Sequence, residues 1–277
     1  MNSQDVQNYW EQRLSQDYSL SGVGYLGLGR HFNQWMYRVR RWVFLRTLSS
    51  KRTQIKDWRV LDIGAGTGFY ADCWRTLGCR TLSGVDITHT AVSNLKNKFP
   101  EFCFFQGDVG DEFCPKLDGQ TFDAVSAMDV LFHIVEEERF ERAIQRIQSC
   151  LKIGGWFFYS DNFLRTIDKT SPHQSSRSLA KIQEILTRNG LRVVSRSPMF
   201  WLMNAPVDSQ NRWLWKFWSL LERIVSKHEL LGYLAGLALF PLEIALVTVL
   251  QESPTTEIMI CQKIPDHHKG DSCAPEF

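Results

Sequence analysis

Residues 60–71 read VLDIGAGTGFYA, and this stretch decides the fold of the chain. An apolar run, which predicts a buried strand, ends in a loop with glycine at every second position, and a helical pattern follows. Glycines between a strand and a helix let the backbone turn tightly and approach a bound ligand closely. The stretch therefore predicts a strand, a ligand-binding loop and a helix in direct succession.

Strand-like apolar runs and helical patterns continue to alternate after this stretch. The predicted strands are 59–63, 81–86, 102–106, 122–128 and 155–160, and the predicted helices between them are 70–77, 90–98 and 136–151. Such alternation gives βαβ units and a parallel, doubly wound α/β sheet. In this architecture ligands bind at the carboxyl ends of the strands, so the residues that close each strand are the candidates for a site.

Acidic residues lie at the ends of the first three predicted strands. Asp62 precedes the glycines, Asp86 ends the second strand at a distance that suits a ribose-binding carboxylate, and Asp108 follows the third strand. No lysine or arginine lies between Leu61 and Trp74, and the glycine spacing is G-x-G-x-G. Since this acidic surrounding would repel a pyrophosphate, it favours a cofactor with an ammonium and a sulfonium group.

Five motifs occur in a fixed order over residues 57–163. They are VLDIGAGTGFYA, GVDIT, QGDV, FDAVSAMDVLFHI and LKIGGWFFYSD. In this order they resemble the motifs of class I S-adenosylmethionine-dependent methyltransferases. The resemblance implies a Rossmann-like methyltransferase fold with a seven-stranded, mostly parallel sheet, S-adenosylmethionine as the cofactor, and methyl transfer as the activity.

The resemblance also implies which residues hold the cofactor. The implied cofactor-binding residues are Asp62, Gly64, Ala65, Gly66, Gly68, Asp86, Ile87, Asp108, Val109 and Met128. Asp62 and the glycine loop would lie near the methionine moiety and Asp86 at the ribose hydroxyls. Asp108 would bind the adenine amino group, with Val109 beside it.

His133 is the candidate catalytic residue. It follows the fourth strand, where we expect it beside the cofactor methyl group, and an imidazole can serve as a general base near neutral pH if the acceptor is a hydroxyl. Asp129 is the candidate that orients His133. Two alternatives stay open, since His133 can shape its loop by hydrogen bonding and Asp129 can cap the following turn.

Composition narrows the classes of protein further. The chain has 277 residues, 44% of them apolar, and a net charge of +2, which fits a soluble fold and indicates no overall polyanion partner. Its seven cysteines contain no C-x-x-C pair, so we expect neither a disulfide framework nor a metal site. The N-terminus lacks the layout of a signal peptide, which predicts a cytoplasmic protein.

The chain divides into four predicted segments. An N-terminal helical cap covers 1–56, the methyltransferase core covers 57–197 and 256–264, a helical insertion covers 198–255, and a polar, disordered tail covers 265–277. Residues 190–196 and 256–263 are the predicted sixth strand and the antiparallel seventh strand.

The first half of the insertion, residues 211–229, mixes tryptophans with basic residues. This pattern is typical of an interfacial membrane helix and equally of a helix that covers an apolar pocket. The basic residues are Arg212, Lys216, Arg223 and Lys227.

Residues 230–250 contain a single charge, Glu243, and are long enough to cross a bilayer. A single crossing would separate the seventh strand from its sheet, so we expect two short helices that meet at Pro241. Three roles stay open for 211–250: a lid over the acceptor, a peripheral membrane contact, and a homodimer interface.

The segment 21–29, SGVGYLGLG, contains a G-x-G-x-x-G match that no apolar strand precedes. We interpret it as a flexible hinge at the acceptor's entrance, leading into an amphipathic helix. Residues 30–56 carry basic but no acidic side chains, which is typical of a solvated helix face or of an anion-binding surface.

The sequence thus predicts an enzyme that methylates an oxygen of a small-molecule or lipid-like acceptor with a sizeable apolar part. Two alternatives remain: an RNA methyltransferase that uses the basic segment 30–56, and an N-methyltransferase of a small metabolite. Nucleic acid is the less favoured acceptor, because no Asn/Asp-Pro-Pro-aromatic motif follows the fourth strand. The expected location is the cytoplasm, and the insertion suggests peripheral attachment to a membrane as the alternative.

Overall fold

The helices and strands follow the predicted alternation. The computed structural model describes residues 3–171 and 174–265, so all of the predicted disordered tail except Pro265 lies outside the described residues. The helices are α1 (Ser3–Gln16), α2 (Leu20–Val23), α3 (Gly29–Thr47), α4 (Arg52–Ile55), α5 (Phe69–Thr76), α6 (His89–Lys98), α7 (Glu137–Cys150), α8 (Leu179–Arg188), α9 (Arg212–Val225) and α10 (Glu229–Val249). The strands are β1 (Arg59–Ile63), β2 (Thr81–Asp86), β3 (Cys103–Gln106), β4 (Phe122–Met128), β5 (Leu151–Asp161), β6 (Lys169–Ser171), β7 (Gln174–Ser176), β8 (Leu191–Pro198) and β9 (Glu257–Lys263). Short 3₁₀-helical turns occur at Leu26–Leu28, Ser49–Lys51 and Leu131–His133.

Seven of the strands form one sheet in the order β3-β2-β1-β4-β5-β9-β8. The first five pair in parallel, and β9 runs antiparallel to both β5 and β8. The chain order reverses between β1 and β4, so a cleft opens at the carboxyl ends of these two strands. The prediction of a doubly wound, seven-stranded, mostly parallel sheet is confirmed, with helices before it and a helical insertion before its last strand.

The central strands are buried on both faces, which explains their continuous apolar sequences. Val60 of β1 packs into the cluster that contains Trp74 and the apolar side of α3. The neighbouring Leu61 points to the opposite face and packs with Phe140 of α7. Helices therefore cover both sides of the sheet and leave its carboxyl edge for a ligand.

The predicted break at Pro241 is wrong, because α10 is one continuous helix with Pro241 inside it. The ring of Pro241 lies on an exposed position, and packing along α3 holds the helix together across the missing hydrogen bond. Gly232 and Gly236 allow this close packing. A Cβ atom at Gly236 would lie 2.1 Å from Cδ1 of Trp35 on α3.

Two further elements differ from the predictions. The segment expected to be a hinge is helical at α2 and in the turn Leu26–Leu28, and Gly22 is buried so closely that a Cβ atom there would lie 1.8 Å from the carbonyl oxygen of Asp17. The hairpin β6–β7, which precedes α8, was not predicted, since its short polar strands carry little hydrophobic pattern.

Candidate active site

A cavity of about 340 Å³ lies at the carboxyl ends of β1, β2 and β4. The glycine loop after β1 forms part of its wall, and residues of α1 and α3 form another part. The predicted site residues that line it are Gly64, Ala65, Gly66, Asp86, Ile87, Asp108, Val109, Met128, Asp129 and His133. The structure brings these residues together at one cavity, whereas Asp62 and Gly68 are not part of its lining.

The glycine loop has a backbone that side chains would disturb. Gly64, Gly66 and Gly68 have φ values of +67°, +51° and +77°, in the left-handed region. A Cβ atom at Gly64 would lie 2.3 Å from Cγ2 of Val130, and one at Gly68 would lie 2.5 Å from the ring of Phe99. Gly64 is thus needed where the loop passes the β4 side of the cavity, and Gly68 where α5 begins.

The carboxylate of Asp86 ties the glycine loop to the end of β2. Its Oδ2 accepts a hydrogen bond from the backbone N–H of Gly66 at 2.8 Å, and its Oδ1 accepts from the backbone and hydroxyl of Thr88 at 2.9 and 2.7 Å. Burial raises the pKa of Asp86, and these hydrogen bonds oppose that rise. Oδ2 keeps the capacity to accept from one further donor at the cavity wall.

Asp62 lies behind the loop, with 2% of its surface exposed. Its Oδ1 accepts from the Ser126 hydroxyl at 2.6 Å, and that hydroxyl accepts from Nε1 of Trp74 at 3.0 Å. Because β1 and β4 are neighbours at this position, the bond joins the two central strands. The place of Asp62 at the methionine moiety stays a prediction.

Asp62 also predicts a pH dependence of stability. Burial raises its pKa to about 7 in the folded chain, above the ordinary value of 3.8. The folded state therefore holds the proton more tightly, and the stability gained is present at acid pH and lost as pH rises through about 7. For one proton the slope is about 1.4 kcal/mol per pH unit.

We expect Asp62→Asn to flatten this slope, because asparagine still accepts from Ser126 but does not titrate. Urea unfolding at several pH values between about 5 and 8 measures the difference. Burial also raises the pKa of Asp161 to about 7, and since Asp161 is present in both proteins its contribution cancels. An equal slope in wild type and variant would contradict the prediction.

Asp108 is held by an ion pair with α7. Its Oδ2 accepts from Nη2 of Arg139 at 2.6 Å, and its Oδ1 accepts from the backbone N–H of Gly110 at 2.8 Å. The pairing fixes the carboxylate at the cavity wall beside Val109. Its contact with an adenine amino group stays a prediction.

Asp129 forms contacts with α3 and β5. Its Oδ2 accepts from Nε of Arg40 at 2.9 Å, and its Oδ1 accepts from the Ser160 hydroxyl at 2.7 Å. Asp129 has a φ of +57°, and its backbone N–H donates back to the same hydroxyl. These contacts hold the turn after β4 in place, and the role of Asp129 in orienting His133 stays a prediction.

His133 ends the 3₁₀ turn after β4 and lines the cavity. Its ring packs edge-on against Trp10 of α1, with 5.0 Å between ring centroids, and its neighbour Phe132 lies 4.4 Å away by the same measure. The N-terminal helix therefore reaches the candidate base directly.

The N-terminal helices cover the glycine loop. The carboxylate of Glu11 accepts from the backbone N–H groups of His89 and Thr90 at the start of α6, at 2.7 and 3.0 Å. The Tyr18 hydroxyl donates to the carbonyl of Gly66 at 3.0 Å, and Arg13 donates to the carbonyl of Gly24. Sequence reasoning missed these residues, because single polar side chains on a short polar helix carry no pattern.

Arg40 was also missed, although the sequence contains a signal for it. Met36, Val39 and Val43 form the apolar side of α3, and Arg40 lies on the same side, one helical turn after Met36. A lone arginine on an apolar helix face indicates a buried partner, which here is Asp129 at the cavity.

Much of the basic segment 30–56 is used within the fold. Arg40 pairs with Asp129, and Arg41 pairs with Asp72 at 2.7 Å. Three other cations lie over tryptophan rings, in the pairs Arg38–Trp35, Arg46–Trp42 and Lys51–Trp156. The segment is therefore less of an open cationic surface than its sequence suggests.

The described residues contain no cluster of three or more histidine, cysteine, aspartate or glutamate side chains suited to a metal ion. The polar groups at the cavity include carboxylates, arginines, the His133 imidazole, hydroxyls, side-chain amides and the backbone of the glycine loop.

Comparisons with known proteins identify a methyltransferase domain in the chain. Residues 60–155 match a family model described as a methyltransferase domain. A ubiquinone biosynthesis O-methyltransferase of Paraburkholderia phymatum is 27% identical over 104 residues, which are 37% of this chain and 43% of the relative. A tRNA U34 carboxymethyltransferase of Methylococcus capsulatus is 34% identical over 104 residues, which are 35% of this chain and 30% of the relative.

A solved structure of magnesium protoporphyrin IX methyltransferase from Synechocystis, with bound S-adenosylhomocysteine, has a TM-score of 0.54 and 14% sequence identity. The match covers 95% of this chain and all of that chain. At this identity the likeness establishes the fold. The chain spans less than half the length of each of these two curated relatives.

Proposed function

We propose that this chain, a member of the class I S-adenosylmethionine-dependent methyltransferase family, methylates a hydroxyl oxygen of a small or lipid-like acceptor. The observation that carries the proposal is the single cavity that brings together the glycine loop, Asp86, Asp108 and His133 under an apolar cover. Named O-methyltransferases among the relatives support an oxygen acceptor, although they match over part of their length.

The chemistry of the cavity fits S-adenosylmethionine, the cofactor of the family. Carboxylates at the ends of β2 and β3 supply acceptors for hydroxyl and amino donors, and Val109 and Met128 supply apolar surface. The Thr67 hydroxyl and Nε of Arg13 are buried at the cavity and have no hydrogen-bond partner within residues 3–171 and 174–265. A ligand with a carboxylate would satisfy Arg13.

We assign Asp86 to the ribose hydroxyls, Asp108 to the adenine amino group, and Arg13 to the carboxylate of the methionine moiety. Bound S-adenosylmethionine supplies a methyl group on a sulfonium, which is transferred by in-line displacement. The protein must align the acceptor and exclude water, and the cover formed by α1 and α2 performs the second task.

The polar end of the acceptor would lie at Tyr70 and Arg40. The Tyr70 hydroxyl is buried at the cavity and has no hydrogen-bond partner among the described residues, and burial raises its pKa, so it is a neutral donor. Burial lowers the pKa of Arg40, but the neighbouring Asp129 carboxylate outweighs this effect and raises the pKa above its ordinary value, so Arg40 stays charged. His133 would take the proton of the acceptor hydroxyl.

The apolar part of the acceptor would contact the aromatic and aliphatic residues of the cover. The cavity is lined with apolar side chains from three helices, which are Trp10 and Leu14 of α1, Val23 of α2, and Met36 of α3. Tyr25, in the segment that the sequence indicates as the acceptor's entrance, lines the cavity and is also exposed. This wall suits a ring or a chain better than a phosphate backbone.

A tRNA acceptor is the second candidate, because one relative is a tRNA-modifying enzyme. The pairing of Arg40 and Arg41 with carboxylates argues against it, since fewer cations remain for phosphates. N-methylation of a small metabolite is the third candidate and would need no proton removal by His133 before attack if the amine is neutral.

One experiment separates these candidates. The purified chain is incubated with S-adenosylmethionine carrying a labelled methyl group and, separately, with a lipid extract, total tRNA and a mixture of small amines. We expect label in the lipid extract, in products stable to mild alkali, since methyl ethers survive alkali and methyl esters do not. Label in tRNA or amines only would contradict the proposal.

A further inference from the structure

The insertion exposes large apolar side chains on two adjoining helices, α9 and α10. One side of α10 packs on α3 through Gly232 and Gly236, and the opposite side is exposed. The exposed large apolar residues of α10 are Leu230, Leu231, Tyr233, Leu234, Leu237, Leu242 and Val249, and those of α9 are Trp213, Trp215, Leu220 and Ile224. Exposed apolar residues that are scattered singly are ordinary, but eleven of them on two adjoining helices indicate an interaction surface.

This surface is separate from the cavity. No residue of α9 or α10 belongs to the cavity lining of the described chain, whereas Asn204, Ala205 and Val207 from the start of the insertion do. The lid expected from residues 211–250 is therefore formed by other segments, which are α1, α2 and residues 204–207. The apolar faces of α9 and α10 need a different explanation.

The charges around the surface are positive. The acidic side chains are used within the fold: Glu222 accepts from the Tyr25 hydroxyl, Glu229 accepts from two backbone N–H groups at the start of α3, and Glu243 accepts from those of Trp201 and Leu202. The cations of this region are exposed and form no ion pair within the described residues; they are Arg212, Lys216, Arg223 and Lys227. These cations are thus available to anionic groups that lie outside the described residues.

The cations and the apolar residues share one groove on α9. Arg212, Lys216 and Arg223 line it together with Trp215 and Leu220. This combination suits a phosphate headgroup above acyl chains, because tryptophan and basic side chains are favoured where a bilayer meets water.

We propose that α9 and α10 dock this protein on the surface of a lipid bilayer that carries anionic headgroups. By length and composition α10 is the one helix of the described residues that could cross a membrane. It lies in the plane of the interface instead, because it packs along α3 and because β9, which follows it, pairs with both β5 and β8. A second copy of the chain is the competing occupant.

The docked orientation brings the membrane to the wall of the cavity. Tyr25 lines the cavity, its ring centroid lies 6.2 Å from that of Trp218 on α9, and its hydroxyl bonds to Glu222 of the same helix. An acceptor held in the bilayer would meet the cavity at this corner. Only this last step rests on the proposed function, whereas the docking itself does not.

Vesicle flotation of the full chain tests the docking. We expect the protein to float with vesicles that contain phosphatidylglycerol, and to bind vesicles of phosphatidylcholine alone about tenfold more weakly. High salt should reduce this difference in binding between the two kinds of vesicle, since it screens the headgroup charges. Replacement of Arg212, Lys216 and Arg223 with glutamine should remove the preference for vesicles that contain phosphatidylglycerol.

The apolar face is tested by the double variant Leu234→Asp and Leu237→Asp, at positions that are 49% and 48% exposed. We expect partitioning onto vesicles to fall by about tenfold or more. Phe113→Asp, at a position that is 82% exposed between β3 and β4, is the matched control and should float like the wild type.

Two measurements keep the outcomes distinct. Calorimetry with S-adenosylmethionine shows whether each variant is folded, and a wild type that does not bind it would count against the proposed function rather than against docking. Absence of flotation for the wild type, or unchanged flotation of the double variant, would overturn the proposal. The proposal would also be overturned if the wild type formed a dimer without lipid, bound no vesicles, and lost the dimer in the double variant. The apolar face would then be covered by a second copy of the chain.

Discussion

Replacing Asp86 with alanine is expected to raise the dissociation constant for S-adenosylmethionine by about 100-fold or more. The carboxylate holds the N–H of Gly66 with one oxygen and the backbone and hydroxyl of Thr88 with the other. Its removal loses the proposed contact with the ribose and also frees the glycine loop from the end of β2. Isothermal titration calorimetry with S-adenosylmethionine and with S-adenosylhomocysteine measures the effect.

Two further variants separate the causes. Asp86→Asn keeps an oxygen that can accept from Thr88 but removes the charge, so a loss of intermediate size is expected. Asp57→Ala replaces an exposed aspartate in the turn before β1 and should bind like the wild type. A folded Asp86→Ala protein with an unchanged dissociation constant would remove Asp86 from the cofactor site.

The sequence predicted the core of the fold because its signals there are local. The central strands β1 and β4 are short and rich in apolar residues, and the loop after β1 needs three residues in the left-handed region, which its three glycines provide. Asp86 and Asp108 could be placed because the ends of parallel strands meet at one edge of a sheet. Residues of four of the five motifs line one cavity, and the fifth motif, LKIGGWFFYSD, forms the strand β5 beside β4.

The remaining features depend on contacts between distant segments. Glu11 binds the start of α6, and Tyr18 binds the glycine loop. No sequence pattern predicts either contact. The continuity of α10 through Pro241 arises from its packing on α3, which outweighs the local preference for a break. Tertiary packing also places α9 and α10 outside the cavity lining, although a lid over the acceptor was one of the three roles expected for residues 211–250.

His133 is the second residue for which we expect a large effect. If it removes the proton of an acceptor hydroxyl, His133→Gln should lower kcat by about 100-fold, with little change in KM for the acceptor or in the dissociation constant of the cofactor. Glutamine can still hydrogen-bond and pack against Trp10, so the variant retains a structural role while losing the proton-transfer role. The assay follows the labelled methyl group into the alkali-stable product of the lipid extract.

The pH dependence of turnover decides between the two roles of His133. A general base must be neutral to act, so wild-type kcat should fall as pH is lowered, and the fall should be absent from the residual activity of His133→Gln. His89→Gln, on the exposed surface of α6, is the matched control and should keep both the rate and the pH profile of the wild type. A carboxylate acceptor is already deprotonated at neutral pH and needs no base, and its methyl ester is labile to alkali. If wild type and His133→Gln made an alkali-labile product equally fast, the acceptor would be a carboxylate rather than a hydroxyl. His133 would then serve only to pack against α1.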